Sequence, residues 1–331
     1  MTNSADMHSQ GTTLRRIHRW SFAVLLATLL LLFAGGQVTS TDSGDAVDSW
    51  PLPLRVEMPA FTGGVLWELG HRQVAGFTGI LTGIFAFLVW RAARRGQGPE
   101  AWVRRLAYFA FVLVLAQAAL GGVRVLVGMQ YPAIASTPEE PFIIRAIAMT
   151  HALVAQSFLV VVTTLFVATK PAWAAAPKRD IPALRGAAKA ALAALILQIA
   201  FGAWLRHTMS GLGIVLHGLG ALIALLFLAR LVGQVHQLSA ATDASLRKPA
   251  NWIGFTLTAQ FLLGMTSFFL VEDLAGRGPT FNFRAAIPSL HLVGGGLLVM
   301  LTQMILVRSW RGEPAADAAT AAMPVLEQAR A

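Results

Sequence analysis

The segment WELGHR places an acid, an imidazole and a guanidinium close together, at Glu68, His71 and Arg72. Glu68 and His71 are three residues apart, so on a helix their side chains share one face. Such a pair can move protons or take part in metal binding. The segment stands directly before a long apolar run, and an ionisable side chain at or in a membrane helix indicates a functional role.

Three further histidines match His71, because each stands near the same end of an apolar run. They are His151, His217 and His291. The residues four positions later are all small: Ala75, Ala155, Ala221 and Gly295. Small residues on the histidine face leave room for a flat macrocycle held by the imidazole, a common haem-iron ligand. We therefore expect two haem sites, His71 with His151 and His217 with His291. The alternative is that the small residues only let the helices pack closely.

Several arginines lie at the same ends of the apolar runs and could bind the propionates of a haem through bidentate contacts. Arg124 and Arg206 follow repeated glycine motifs and are the first candidates, together with Arg72 beside His71. Arg145 and Arg284 are placed similarly. The alternative is a guanidinium that reaches towards the membrane surface without a ligand.

The remaining histidines lie outside this register. His207, in the segment RHTMSG, is a further candidate for a propionate contact. His8, His18 and His236 fall in segments predicted to be cytoplasmic, and we expect them to be solvated.

Composition indicates a membrane protein. Of the 331 residues, 56% are hydrophobic and 13% charged, whereas soluble domains carry about 25% charged residues. Eight apolar runs approach the length needed to cross a bilayer, at residues 20–38, 73–90, 106–127, 146–168, 190–205, 214–232, 252–270 and 288–307. The predicted fold class is an all-α integral membrane protein with eight transmembrane helices. The chain has no cysteine, which excludes disulfides, iron–sulfur clusters and thiolate ligation of haem.

Basic residues predict the orientation in the membrane. Clusters of Arg and Lys fall in alternate connecting segments, at 15–19, 91–105, 170–189, 230–248 and 308–311. Such clusters remain on the cytoplasmic side, so both termini are predicted to be cytoplasmic. The net charge of +10 then reflects topology and not nucleic-acid binding. The predicted location is the inner (plasma) membrane, which the chain crosses several times in contact with lipid.

The chain contains a weak internal repeat. GGQVTSTDSG, from Gly35, matches GAWLRHTMSG, from Gly202, and AQAALGG matches AQFLLGM, which aligns Gln117 with Gln260. Four spans in each half predict parallel repeats that form two pseudo-symmetric four-helix bundles. The expected divisions are a cytoplasmic segment 1–19, an amino-terminal bundle 20–168 with an outer loop 39–67, a cytoplasmic linker 169–189, a carboxyl-terminal bundle 190–307 and a disordered cytoplasmic tail 308–331.

Other chemistries fit the residues less well. A di-iron site needs a second E-x-x-H unit, and zinc needs three or four converging ligands. A transporter would place a broken helix near the membrane midplane. The strongest alternative is a di-haem b electron carrier linked to a quinone. That function requires two equivalent sites, but the position that matches Glu68 before His217 is Ile214.

The motifs resemble those of the heme A synthase family over about residues 15–310. The resemblance is carried by GGQVTSTDSG, GGVLWELGHR, AQAALGGVRVL, THALVAQSFLVV, LQIAFGAWLRHT, LHGLGAL and SLHLVGG. It implies an enzyme, an oxidoreductase that converts the C8 methyl of heme O to a formyl group and so makes heme A for terminal oxidases. It also implies heme O synthase, terminal oxidase subunit I and a further electron-transfer protein as partners. A non-catalytic haem-delivery factor is the alternative within cytochrome oxidase assembly.

The resemblance also implies a division of labour. It makes His217 and His291 ligands of a resident heme b, places His71 and His151 at the substrate site, and makes Glu68 necessary for conversion. Many family members carry a cysteine pair in the first outer loop, and this chain has none. We therefore expect its outer loop to be held by other contacts or by the membrane surface.

Overall fold

The computed structural model describes residues 4–44, 46–47, 49–51, 63–130, 141–178, 181–239, 244–271 and 283–311. Within these ranges the chain forms nine helices. They are α1 (Ser4–Ser40), α2 (Gly63–Arg94), α3 (Ala101–Gly128), α4 (Phe142–Ala168), α5 (Pro171–Ala175), α6 (Pro182–Thr208), α7 (Gly211–Ser239), α8 (Ala244–Val271) and α9 (Phe283–Arg308).

All of these helices except α5 are long and apolar enough to cross a membrane, which confirms the eight predicted spans. Each helix is longer than its apolar run, because the runs exclude the polar turns at the helix ends. α2 begins at Gly63, ten residues before its run, so His71 lies about two turns inside the helix. α2 therefore includes the last residues of the outer loop expected at 39–67. The short helix α5 was not expected within the linker 169–189.

The long helices pack in a regular order. α2 contacts α1 and α3, and α4 contacts α1 and α3. In the second half, α7 contacts α6 and α8, and α9 contacts α6 and α8. The two sets of helices meet where α9 contacts α1 and α4, and where α4 contacts α6. Consequently α9 is the most enclosed span, with 61% of its central window buried, whereas α8 has only 11%.

Two clusters of buried apolar side chains hold the helices together at one end, which we call the core end. The first joins α1, α2, α3, α4, α5 and α9, and includes Ile17, Phe85, Leu159 and Trp173. The second joins α6, α7, α8 and α9, and includes Leu184, Leu228, Ile253 and Ile305. The four histidines of the register lie at the opposite end of the helices, the histidine end. Close packing at the core end thus holds the helices together, while the histidine end is rich in glycine and polar groups.

Arg311 fastens α9 to its neighbours at the core end. Its guanidinium pairs with Glu100, donates to the carbonyl oxygen of Ala174 at 2.6 Å and lies 4.8 Å from the ring centre of Trp173. Burial alone would raise the pKa of the Glu100 carboxyl, but hydrogen bonds from Trp102 and Arg311, with the nearby positive charges, lower it. The tail was expected to be disordered from residue 308, yet Arg311 is buried; residues 312–331 lie outside the described chain.

His18 also differs from the expectation that it is solvated. Its ring stacks on Phe166 with centroids 4.9 Å apart, and its Nδ1 lies 3.4 Å from the hydroxyl of Thr169. Because α1 begins well before its apolar run, His18 is part of this helix, and its side chain packs against α4 instead of facing solvent. His236 is exposed as expected, and the side chain of His8 lies outside the described residues.

A substitution at Gly36 would test the close contact between α1 and α9. A side-chain carbon at Gly36 would lie 3.0 Å from both Cα and Cβ of Ser289, so Gly36→Ala should force the helices apart. Overpacking of this kind costs about 1–3 kcal/mol, and we expect a lower Tm in detergent. Gly79→Ala is the matched control, since no atom lies within 4 Å of the added carbon. Equal Tm values for the two variants would contradict close packing of α1 on α9.

Candidate functional site

Each histidine of the register lies against a glycine of the preceding long helix. A side-chain carbon at these glycines would lie 2.8–3.2 Å from the Cε1 atom of the imidazole, closer than normal packing allows. The pairs are Gly35 with His71, Gly121 with His151, Gly202 with His217, and Gly264 with His291. A side chain at Gly264 would displace the ring of His291, and at the other three positions the imidazole would have to shift by a few tenths of an ångström.

The structure brings the expected histidine partners together. The ring centroids of His217 and His291 are 6.2 Å apart, and the ring planes are inclined by 72°. Metal–nitrogen bonds of about 2 Å require two imidazoles on one metal ion to have centroids roughly 6 Å apart, so this pair fits a bis-imidazole site. His71 and His151 lie within electrostatic range of each other. Among the described residues, no three His, Cys, Asp or Glu side chains converge on a common metal position.

The polar partners of the imidazoles differ between the two halves. The side-chain amide nitrogen of Gln198 lies 3.0 Å from Nδ1 of His217. Nδ1 of His291 lies 3.2 Å from the backbone carbonyl oxygen of Gln260. By contrast, the buried Nδ1 atoms of His71 and His151 make no hydrogen bond among the described residues. Sequence reasoning missed Gln198, although it stands four residues before its glycine, as Gln260 does.

The buried Glu68 and the partly buried Arg72 form an ion pair that holds the outer loop against α2. Glu68 is 3% exposed, and its Oε2 accepts a hydrogen bond of 2.7 Å from the backbone N–H of Val47. Its Oε1 accepts from Arg72, which also donates to the carbonyl oxygens of Val47 and Ser49. The polar groups of Arg72 are thus directed at the loop.

Glycines let the outer loop approach the helices closely. A side-chain carbon at Gly122 would lie 2.5 Å from Cε2 of Trp50, and Gly122 follows the glycine that faces His151. A carbon at Gly64 would lie 2.9 Å from Cβ of Ser43. The described part of the loop therefore packs on α2 and α3 beside the His71 and His151 pair. These contacts, with Glu68 and Arg72, hold a loop that has no cysteine; residues 52–62 lie outside the described chain.

A group of basic side chains lies at the histidine end, where the two sets of helices meet. His207 is within electrostatic range of Arg124, Arg145 and Arg206, which come from α3, α4 and α6. Arg206 donates to the carbonyl oxygen of Thr39 at 2.6 Å. The sequence analysis considered these residues as separate candidates, but the structure brings them into one region. The side chain of Arg284 lies outside the described residues.

Known proteins are similar to this chain in sequence. The model of the COX15-CtaA family, described as cytochrome oxidase assembly protein, matches residues 54–215. A heme A synthase of Symbiobacterium thermophilum is 29% identical over 272 residues, which cover 74% of this chain and 83% of the relative. The chain is thus similar to heme A synthases over most of its length. The resemblance seen in the motifs is therefore confirmed.

Two further heme A synthases match shorter stretches. The enzyme of Geobacillus kaustophilus is 34% identical over 118 residues, 35% of this chain and 36% of the relative. That of Bacillus cereus is 32% identical over 124 residues, 37% of this chain and 38% of the relative. The family model covers Glu68, His71 and His151 but ends two residues before His217.

Glu68→Ala should release the outer loop from α2. The substitution removes the acceptor of the Val47 N–H and leaves Arg72 as a buried charge, and loss of one partner of a buried pair costs about 3–5 kcal/mol. We expect faster amide hydrogen exchange at Val47, measured by mass spectrometry. Glu100→Ala, which breaks the ion pair at the core end, should leave exchange at Val47 unchanged. Unaltered protection of Val47 in Glu68→Ala would show that the carboxylate does not hold the loop.

Proposed function

We propose that this chain is a heme A synthase that oxidises the C8 methyl of heme O to a formyl group, giving heme A for a terminal oxidase. The observation that carries the proposal is the presence of two imidazole pairs with, among the residues that the structure describes, a carboxylate beside only one of them. Four histidines lie against glycines, but Glu68 stands one turn before His71 alone. Two sites of unequal chemistry suit an enzyme better than an electron carrier.

The amino-terminal pair, His71 and His151, is proposed to bind heme O, the substrate. His217 and His291 are proposed to hold a resident heme b, and their centroid distance of 6.2 Å suits bis-imidazole ligation. When bound, heme b would supply one-electron redox chemistry. The position of Glu68 supports this assignment of the two sites, because Ile214 occupies the position before His217 that Glu68 occupies before His71.

Glu68 is proposed to accept protons during the reaction. Conversion of a methyl group and water to a formyl group releases four protons and four electrons, and the electrons would pass to the electron-transfer protein that the resemblance implies. The carboxylate oxygens of Glu68 accept hydrogen bonds from the backbone N–H of Val47 and from Arg72, and an ionised carboxylate can take up a proton. Arg72 stabilises the ionised carboxylate before the proton arrives. The loop contacts of Val47 and Trp50 would limit access of bulk water to this end of α2.

The basic region is proposed to bind the propionates of the haems. Arg124 and Arg206 lie near His207 and present positive charge where the two halves meet. A guanidinium suits a carboxylate through paired hydrogen bonds. Arg72 was also a candidate, but its hydrogen bonds to Glu68 and the loop favour a structural role.

We further propose two pseudo-symmetric four-helix bundles, 20–168 and 190–307, joined by the segment 169–189. The helix contacts support this arrangement, because the contact of α1 with α9 corresponds to that of α6 with α4 under a two-fold exchange of halves. The basic clusters support cytoplasmic termini in the inner membrane. Heme O synthase would supply the substrate, and subunit I of a terminal oxidase would receive the product.

Co-expression with a heme O synthase tests the activity. We expect extracted haems to contain heme A with the wild-type chain, and only heme O and heme B with Glu68→Gln, which keeps the size of the side chain but cannot take up a proton. The measurement is chromatography of the extracted haems. Gly79→Ala, on an open helix face, should produce heme A at the wild-type level. Heme B alone from the wild type, with reversible redox behaviour, would favour an electron carrier, and undiminished heme A from Glu68→Gln would refute the proton role.

A further inference from the structure

The amides beside the histidines are arranged differently in the two halves. α3, α6 and α8 each carry a glutamine four residues before the glycine that faces the histidine: Gln117, Gln198 and Gln260. In α1 the corresponding residue is Leu31. Residues four apart on a helix lie on one face, so each amide stands one turn from its glycine and near the imidazole. The amino-terminal half therefore has one such amide, and the carboxyl-terminal half has two.

Glycines on the histidine helices decide where these amides can reach. Gly220 and Gly294 stand three residues after His217 and His291, and a side-chain carbon at either would overlap the amide oxygen of Gln198 or Gln260. In the amino-terminal half, valine occupies the same positions, at residues 74 and 154. There the amide of Gln117 donates to the backbone oxygen of His151 at 2.7 Å and not to its ring.

An imidazole that binds iron through Nε2 carries its proton on Nδ1, and a hydrogen-bond acceptor for that proton fixes the ring and makes it a stronger ligand. His291 has such an acceptor, the backbone carbonyl oxygen of Gln260. The amide nitrogen of Gln198 lies 3.0 Å from Nδ1 of His217 and 3.4 Å from Nε2, so it is nearer to Nδ1. The buried amide oxygen of Gln198 has no hydrogen bond among the described residues. Rotation of the amide by half a turn exchanges its nitrogen and oxygen and presents the oxygen to Nδ1.

We propose that Gln198 is a positioning residue for His217, and that this hydrogen bond makes the carboxyl-terminal site retain its haem. The inference rests on the haem-binding function proposed above. A substrate site must release its product after each turnover, whereas a resident cofactor must stay bound. The buried Nδ1 atoms of His71 and His151 lack a hydrogen bond among the described residues, which suits the exchanging site.

Gln198→Leu tests this role in the full-length protein purified in detergent. Leucine is similar in size but cannot accept a proton, and loss of such a partner lowers metal-site affinity about 10-fold to 100-fold. We expect heme b to transfer at least about 10-fold faster to a haem-scavenging apoprotein. The midpoint potential should rise, because a weaker imidazole donor stabilises ferric iron less. Gln198→Glu, with a stronger acceptor, should lower the potential and retain the haem.

Gln117→Leu is the matched control, since that amide contacts the backbone of His151 and not its ring. It should leave the potential and the release rate of the carboxyl-terminal haem unchanged. A wild-type release rate and potential in Gln198→Leu would overturn the positioning role while leaving the proposed function intact. Equal shifts of potential in Gln198→Leu and Gln198→Glu would also overturn it, because a purely structural role predicts no ordered change. Wild-type protein that binds no haem would instead contradict the proposed function.

Discussion

The contact between a helix backbone and an imidazole organises the histidine end of this protein. Each imidazole presents its Cε1 edge to a glycine of the neighbouring helix, where a side-chain carbon would lie only 2.8–3.2 Å from the ring. The helices must therefore approach closely at this end, as small residues allow in membranes. The apolar clusters at the core end keep the helices together, so the rings remain between the helices.

The acid gives the two otherwise similar halves different chemistry. Glu68 is buried and bound both to Arg72 and to the backbone of the outer loop. Its carboxylate therefore links the His71 and His151 pair to the loop that packs beside it. The carboxyl-terminal half has Ile214 at the matching position, and its imidazoles contact the side-chain amide of Gln198 and the backbone carbonyl oxygen of Gln260, which suits a site that orients a ligand and retains it. A repeated frame with different polar partners thus supports the two haem roles proposed above.

The pattern of the sequence was sufficient for the eight spans and for the register of the histidines. Hydropathy reports the centre of a span, and an ionisable residue in an apolar run is conspicuous. Hydropathy could not give the helix ends, since polar turns such as that of α2 before residue 73 lower the local average. The packing of Trp50 on Gly122 could not be predicted from the sequence either, because no periodic pattern links a loop residue to a distant helix.

The roles of Gln198 and of the basic region depended on tertiary contacts. Gln198 follows the same spacing as Gln117, yet one amide reaches an imidazole and the other a backbone carbonyl. The difference comes from the glycine at position 220, on another helix. Likewise, Arg124 and Arg206 are 82 positions apart in the chain and face one region only after the two halves pack together.

The central claim, that His217 and His291 ligate one haem, is tested most directly by electron paramagnetic resonance of the oxidised, purified protein. Two imidazoles whose planes are inclined by 72° should give a highly anisotropic low-spin ferric signal. His217→Ala should abolish this signal, whereas His71→Ala should leave it in place. A signal that survives His217→Ala and is lost in His71→Ala, or a high-spin spectrum from the wild type, would contradict the account.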